Sequence, residues 1–329
     1  MKTVKLIAPA KVNLFLGIGP LREDSYHSAQ TVMHALSMHD SLQMYLVESG
    51  EDVCFMEEND PAQPLRQAAV KVDAGQGLQV SARNLWLNGI EAIDIPSEEN
   101  LACKAVRVLA EELGRSEDET VRIVIEKHIP YQAGLGGGSA DAAAALLGAA
   151  HMWGVEADDL SIDRAARRLG ADVRFFLDGG CLLLEGRGEV PVHALEPRRD
   201  SVVIIRPNEG VSTSEAYRLF DETPEFIDTD VINRVYAASH AEEIPLYNNL
   251  EPAAESLLSE IVSMREMALA YPGVQQVLLC GSGSAIFAIC ESYTAAQALA
   301  AFASREGYWA RSTTFSGIRA AILPNRSRY

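Results

Sequence analysis

Apolar and polar positions alternate cleanly in only some stretches of this chain, and those stretches predict its elements. Residues 4–7 read as a first strand. Lys11, Asn13 and the polar run REDSYHSAQT then read as a loop, followed by an extended segment, DSLQMYLVES. Residues 50–100 are acidic and rich in turn formers, with one strand candidate at LQVSARNLWLN. Asn100 caps an amphipathic helix, LACKAVRVLAEELG, that Gly114 stops, and TVRIVIEKHI alternates as a strand. A glycine loop, PYQAGLGGGS, leads into an alanine-rich helix opening at Ser139, and DDLSIDRAARRLG predicts another helix ended by Gly170. DVRFFLDGGCLLLEGRGE reads as strands around a glycine turn.

The proline and charge cluster of HALEPRRD marks a boundary between two lobes, residues 1–196 and 197–329. The second lobe runs from strand SVVIIRP through a helix near SEAYRLF to a long helix over residues 251–271. The hairpin QQVLLCGSGSAIFAIC, helix TAAQALAAFASREG and strand YWARSTTF complete it. The mixture of helices and strands predicts an α+β protein.

Composition narrows the function. The chain is 48% hydrophobic and 22% charged, as in ordinary globular proteins, and its 329 residues suit two medium domains. Apolar runs such as AAAALLGAA fall short of the roughly 18 residues that a membrane span needs, so no membrane partner is expected. The N-terminus lacks a signal-cleavage pattern. Five cysteines (Cys54, Cys103, Cys181, Cys280, Cys290) never form a CxxC pair, which fits a reducing cytoplasm. A formal net charge of −18 disfavours nucleic acid, because binding it requires Lys and Arg against phosphates. An anionic small ligand needs a local positive site.

The glycine loop offers one. A strand, a glycine-rich turn and a helix N-terminus bring unpaired N–H groups and the positive end of the helix dipole together, which suits phosphate. The loop lacks the GK[ST] ending of a Walker A motif, and Ser139 stands where a Rossmann motif has its last glycine. On this pattern alone, a flexible turn before a capped helix fits equally well.

Context separates these readings. PYQAGLGGGSADAAAAL resembles the ATP-binding motif of the GHMP kinases, which include galactose, homoserine, mevalonate and phosphomevalonate kinases. APAKVNLFLGI resembles the opening motif of a branch of that family, REDSYHSAQTV its substrate-recognition segment, LGADVRFF its catalytic-aspartate segment and LLCGSGSAIFAI its third glycine motif. The resemblance implies an α+β two-lobe GHMP kinase fold, with a ribosomal S5 domain 2-like N-terminal lobe and a ferredoxin-like C-terminal lobe. It also implies a cytoplasmic kinase of isoprenoid precursor synthesis, using ATP and Mg²⁺ on a small alcohol that carries a cytidine diphosphate moiety.

Site residues follow from the same resemblance. Asp172 corresponds to the catalytic aspartate and Lys11 to the lysine that pairs with it. From residue type alone, Asp172 reads more readily as a turn or cap residue, and the lesser alternative for Lys11 is a strand-edge lysine whose head reaches solvent. Pro130, Tyr131, Gln132, Ala133, Gly134, Leu135, Gly136, Gly137, Gly138, Ser139 and Ala140 match the ATP loop, with Ser139 on a phosphate or Mg²⁺ or else a plain N-cap. Tyr26 and His27 match a pair that stacks on cytosine and reads its edge. Asn13 is a polar substrate contact, and Gly281, Ser282 and Gly283 match a turn at the substrate diphosphate or the ATP tail. Asp141 reads as a dipole-complementing residue in the helix's first turn. No resident metal site is expected, since His34 and His39 lack partners at ligand spacing, so Mg²⁺ is expected to arrive with ATP. Ser25, Arg174 and Asn249 depart from the family's usual glycine, proline and aspartate.

Overall fold

A computed structural model describes residues 1–23, 26–48, 52–57, 66–71 and 75–324, so the Ser25 departure lies outside the described residues. The first sheet is built on two long antiparallel strands, β1 (Lys2–Leu21) and β2 (His27–Glu48). Beyond β2 come β6 (Glu119–Lys127) and then β5 (Leu78–Trp86), which is parallel to β6. The end of β2 near the lobe junction pairs instead with β7 (Cys181–Glu185), and β7 with β8 (Val190–Leu195). Separately, β3 (Asp52–Glu57) and β4 (Arg66–Lys71) form an antiparallel ribbon.

Behind this sheet lie α1 (Leu101–Glu112), α2 (Gly137–Trp153), α3 (Leu160–Leu169) and α4 (Ala171–Asp178). Asn100 caps α1 as expected, its side chain accepting from the Ala102 N–H. Alanines 140 and 142–145 are all buried, and their small side chains let α2 pack closely on β1 and α1.

The second lobe carries β9 (Ser201–Arg206), β11 (Val274–Leu279), β12 (Ile286–Cys290) and β13 (Trp309–Thr314), in the antiparallel order β11-β12-β9-β13. With α8 (Glu260–Leu269) and α9 (Tyr293–Arg305) against it, this is the strand order of a ferredoxin-like plait. Before α8 come α5 (Thr213–Glu222), α6 (Thr229–Ala237) and α7 (Glu251–Leu257). Two short strands, β10 (Tyr247–Asn248) and β14 (Ala321–Ile322), return to pair with β1. No described helix is long and apolar enough to cross a membrane.

Three local expectations are corrected. Lys11 and Asn13 lie within β1, and residues 27–31 of the run REDSYHSAQT within β2, not in a loop. Alternation fails there because the strand passes from one core to another. Val4, Leu6 and Ala8 pack under α2, whereas Ala10, Val12, Leu14 and Phe15 pack with Val202, Ile204 and Phe287 of the second lobe. Residues 171–178 form helix α4, not a strand; Phe175 and Phe176 are both fully buried, and Arg174 pairs with Asp178 one turn on. The long helix expected over residues 251–271 is broken at Leu258, whose extended backbone redirects Ile261, Met264 and Ala268 into the second lobe's core.

At the lobe junction His34 is fully buried. Its Nδ1 donates to the Ala35 carbonyl (2.8 Å), so its Nε2 accepts from the Arg198 N–H (2.9 Å). Burial lowers the His34 pKa from 6.5 to about 4, because the charged ring would lose its hydration. The neutral ring therefore stabilises the fold fully above pH 6.5, and that stability disappears as pH falls towards 4. By linkage about 3 kcal/mol is lost between pH 7.5 and 4. Urea unfolding across this range should show it, and His34→Asn should flatten the slope; an unchanged slope would refute this role.

Candidate active site

The glycine loop is held on both sides. On one side the Lys11 N–H donates to the Leu135 carbonyl (3.0 Å); on the other, the Ser284 N–H donates to the Gln132 carbonyl (3.3 Å). Gly134 and Gly136 have φ of 73° and 71°, in the left-handed region. A Cβ on Gly134 would lie 1.8 Å from the Cys280 carbonyl oxygen, and one on Gly136 would lie 2.8 Å from the Phe176 ring. Both positions therefore require glycine on two grounds.

Helix α2 starts at Gly137 behind Gly136, and the first helical bond runs from the Ala140 N–H to the Gly136 carbonyl. Ser139 is thus inside the first turn, which excludes its alternative reading as the N-cap; that position belongs to Gly136. The donors of Gly137, Gly138 and Ser139 precede that bond and are open to an anion. Asp141 is the fifth helical residue and is buried, so it does not complement the dipole from the first turn. It pairs with Lys127 instead (2.6 Å), whose ammonium opposes the upward push that burial gives the Asp141 pKa.

Beside the loop, the Lys11 ammonium is 3.5 Å from Asp172 Oδ2 and donates to Asn13 Oδ1 (2.8 Å). Asn13 donates in turn to Thr31 Oγ1 (2.8 Å), and Thr31 donates to the Phe15 carbonyl (2.8 Å). A register shift in β1 between Pro9 and Lys11 accompanies this placement. Asp172 is brought to Lys11 by the first turn of α4. The Lys11 side chain is 6% exposed, which excludes the strand-edge reading of a solvated lysine.

Two cavities meet at the loop. One, of about 620 Å³, lies between Asn84 and Trp86 of β5, Asn100 ahead of α1, and residues 129–139. The other, of about 1050 Å³, holds Lys11, Asn13, Asp172, Tyr26, His27 and Gly281, Ser282 and Gly283 together. Gln132, Gly134, Gly136 and Thr213 border both. Expected site residues from five distant segments thus converge, although Pro130, Tyr131, Ala133, Leu135, Gly137, Gly138 and Ser139 line only the smaller cavity, and Ala140 is fully buried and lines neither.

His27 is not solvent-facing. Its Nδ1 donates to the Gly19 carbonyl (2.9 Å), its Nε2 is 3.1 Å from Asp221, and its ring lies against Tyr217 and Phe220. Tyr26 is exposed and carries the Arg187 guanidinium 4.7 Å from its ring centroid. The CGSGS turn is fixed by Asn248, whose amide donates to the Leu279 and Gly281 carbonyls (3.2 and 2.7 Å), and by a hydroxyl contact between Ser282 and Thr213 (2.8 Å).

Arg187, Tyr217 and Asp221 were missed in the sequence because each is brought in from an element with no motif of its own, whereas Thr31 lies within REDSYHSAQTV and Asn248 beside Asn249, where only the neighbouring residues drew attention. The departures are explained locally. Arg174 pairs with Asp163 and Asp178 (2.6 Å each) and lines neither cavity. Asn249 accepts from the Ile18 N–H and donates to the Ile18 carbonyl (2.9 Å each), a double contact that an ionised aspartate cannot make.

The class that this arrangement defines is the GHMP kinases. The family's N terminal domain model matches residues 100–180 and its C terminal model residues 236–308. The 4-diphosphocytidyl-2-C-methyl-D-erythritol kinase of Desulfitobacterium hafniense is 34% identical over 320 residues, covering 95% of this chain and 97% of that protein. The enzyme of the same name from Nocardia farcinica is 35% identical, covering 94% and 92%. The chain belongs to the 4-diphosphocytidyl-2-C-methyl-D-erythritol kinase family. A crystal structure of 4-(cytidine 5'-diphospho)-2C-methyl-D-erythritol kinase matches with a TM-score of 0.67 at 31% identity, over 95% of this chain and all of that one. Homoserine kinase from Cytophaga hutchinsonii shares the fold, with a TM-score of 0.67 at 18% identity and 98% of each chain covered.

Proposed function

We propose that this kinase transfers the γ-phosphoryl group of ATP to the 2-hydroxyl of 4-diphosphocytidyl-2-C-methyl-D-erythritol, a step in non-mevalonate isoprenoid precursor synthesis. The observation that carries the reading is the Lys11–Asp172 pair in the larger cavity, with the Lys11 side chain against Gly136, which borders both cavities. ATP occupies the smaller cavity, with its phosphates on the glycine loop, and the alcohol occupies the larger. In that arrangement Asp172 takes the hydroxyl proton, the oxygen bonds to the γ-phosphorus, and the bond to the β-phosphate oxygen breaks to release ADP. Lys11 lies beside the transferred group and offsets its charge.

Asn13, held by Thr31, orients the Lys11 ammonium and the substrate. Tyr26 provides a flat face for the cytosine ring and the chain around His27 reads its edge, while the His27 ring itself is held by Gly19 and Asp221; Gly281, Ser282 and Gly283 approach the diphosphate. Mg²⁺ enters with ATP as part of the substrate. It is a hard cation that takes oxygen ligands, and the half-buried Ser139 hydroxyl in the first turn of α2 fits as one of them. Bound there, Mg²⁺ would neutralise phosphate charge. The reading includes a cytoplasmic location, which the buried free thiols of Cys103, Cys181, Cys280 and Cys290 suit.

A coupled ADP-release assay offering the cytidine diphosphate substrate, mevalonate, homoserine and a sugar tests this. Turnover is expected only with the first. Turnover confined to any of the others would overturn the substrate.

A further inference from the structure

The glycine loop is joined to a buried charge cluster that the phosphoryl-transfer steps do not use. Lys127 ends β6, and its ammonium, 7% exposed, ion-pairs with Asp40 of β2 and with Asp141 of α2. Asp40 is fully buried. Its other oxygen accepts the main-chain N–H groups of His128 and Ile129, the residues that lead into the loop. Asp141 sits in the helix that leaves the loop. A methyl group added to Gly137 would lie 3.6 Å from the Lys127 nitrogen, so the cluster lies directly beneath the first turn of α2.

One ammonium therefore ties together the strand that enters the loop and the helix that leaves it. Stability alone is a weak reason for such a cluster. Desolvating three charges costs much of what their attraction returns, and apolar replacements of buried ion pairs are often neutral or stabilising. Such a cluster does define direction and distance, which apolar packing defines less sharply. The distance concerned is the span of the loop, and it decides whether the N–H groups of residues 137–139 converge on one anion.

We propose that Lys127, acting through Asp40 and Asp141, is the positioning residue for ATP binding: it sets the span of the glycine loop and does not touch the reacting atoms. The proposal rests on the loop's being the ATP site. A correctly spanned loop binds phosphates in the ground and transition states alike, so its distortion changes KM for ATP more than kcat.

The test is steady-state kinetics on purified variants, with thermal unfolding recorded alongside. Lys127→Met should raise KM for ATP by about tenfold or more, while kcat at saturating ATP and KM for the alcohol stay within about threefold. Asp141→Ala should act in the same direction. Asp141→Asn keeps an acceptor for Lys127 and should recover KM for ATP to within about threefold of the unmodified protein. If Lys127→Met does not fold, the Asp141 pair decides the matter.

A lowered melting temperature with unchanged KM for ATP in these variants overturns the proposal, as does equal loss in Asp141→Ala and Asp141→Asn. Calorimetric titration of Gly136→Val with ATP separates the two levels of failure. Lost ATP binding there, with normal KM in the Lys127 and Asp141 variants, sinks only the positioning role. Normal ATP binding by Gly136→Val sinks the loop as the ATP site and the positioning role with it.

Discussion

Replacing Asp172 by asparagine is expected to lower kcat by about 10²-fold to 10⁴-fold, the range for loss of a positioned proton acceptor. That corresponds to roughly 3–5 kcal/mol of transition-state stabilisation. Asparagine matches the carboxylate in shape, and Lys11 keeps its bond to Asn13 Oδ1, so the surrounding packing is preserved. Asp172 lines the larger cavity and not the smaller one, and KM for ATP should therefore change little. Measuring kcat with ATP and the alcohol both saturating, together with KM for ATP, checks both parts. Retention of full kcat would refute Asp172 as the proton acceptor.

Gly134→Ala is expected to have the second large effect, through structure and not chemistry. The left-handed conformation costs a non-glycine residue about 1–3 kcal/mol. The added methyl would also stand 1.8 Å from the Cys280 carbonyl oxygen, which is main chain and cannot swing aside. The loop from the first lobe and the CGSGS turn from the second must then separate, moving the phosphate site away from the Lys11–Asp172 pair. Since misplacement by about 1 Å can cost 10²-fold, kcat/KM should fall by about that much or more. Urea unfolding and kcat/KM measured on the same preparation test this. An alanine variant with native stability and native kcat/KM would rule out the close contact between the loop and the turn.

Much of this site was legible before the fold. The glycine loop is visible because close backbone approach and left-handed φ admit few residues other than glycine, which marks Gly134 and Gly136 in the sequence itself. Helix α1 is visible through its Asn100 cap, and the β11–β12 hairpin through its apolar run around CGSGS. Residue 172 and residue 11 could be paired only by resemblance to the GHMP kinases, since no periodicity links a strand residue to a helix residue 161 positions later.

Other features were hidden for definite reasons. Strand β1 crosses from the core of one lobe to the core between lobes, so its second half has no solvent-exposed face to reveal the pleat. Helix α4 has two adjacent buried phenylalanines, a pattern that suits a buried strand equally well. The partners of Arg174, Asp163 and Asp178, were hidden too, because they flank it from one helix earlier and one turn later with no motif to link them.

Where a phosphate can bind is written into one short contiguous segment, because it depends on local backbone freedom and a helix terminus. What faces that phosphate is set by long-range packing. The 3.5 Å approach of Lys11 to Asp172, the seat of His27 against Asp221 and Tyr217, and the Asp40–Lys127–Asp141 cluster all join residues far apart in the chain. Their proximity comes from sheet register and from helix packing on two cores, which no short segment encodes.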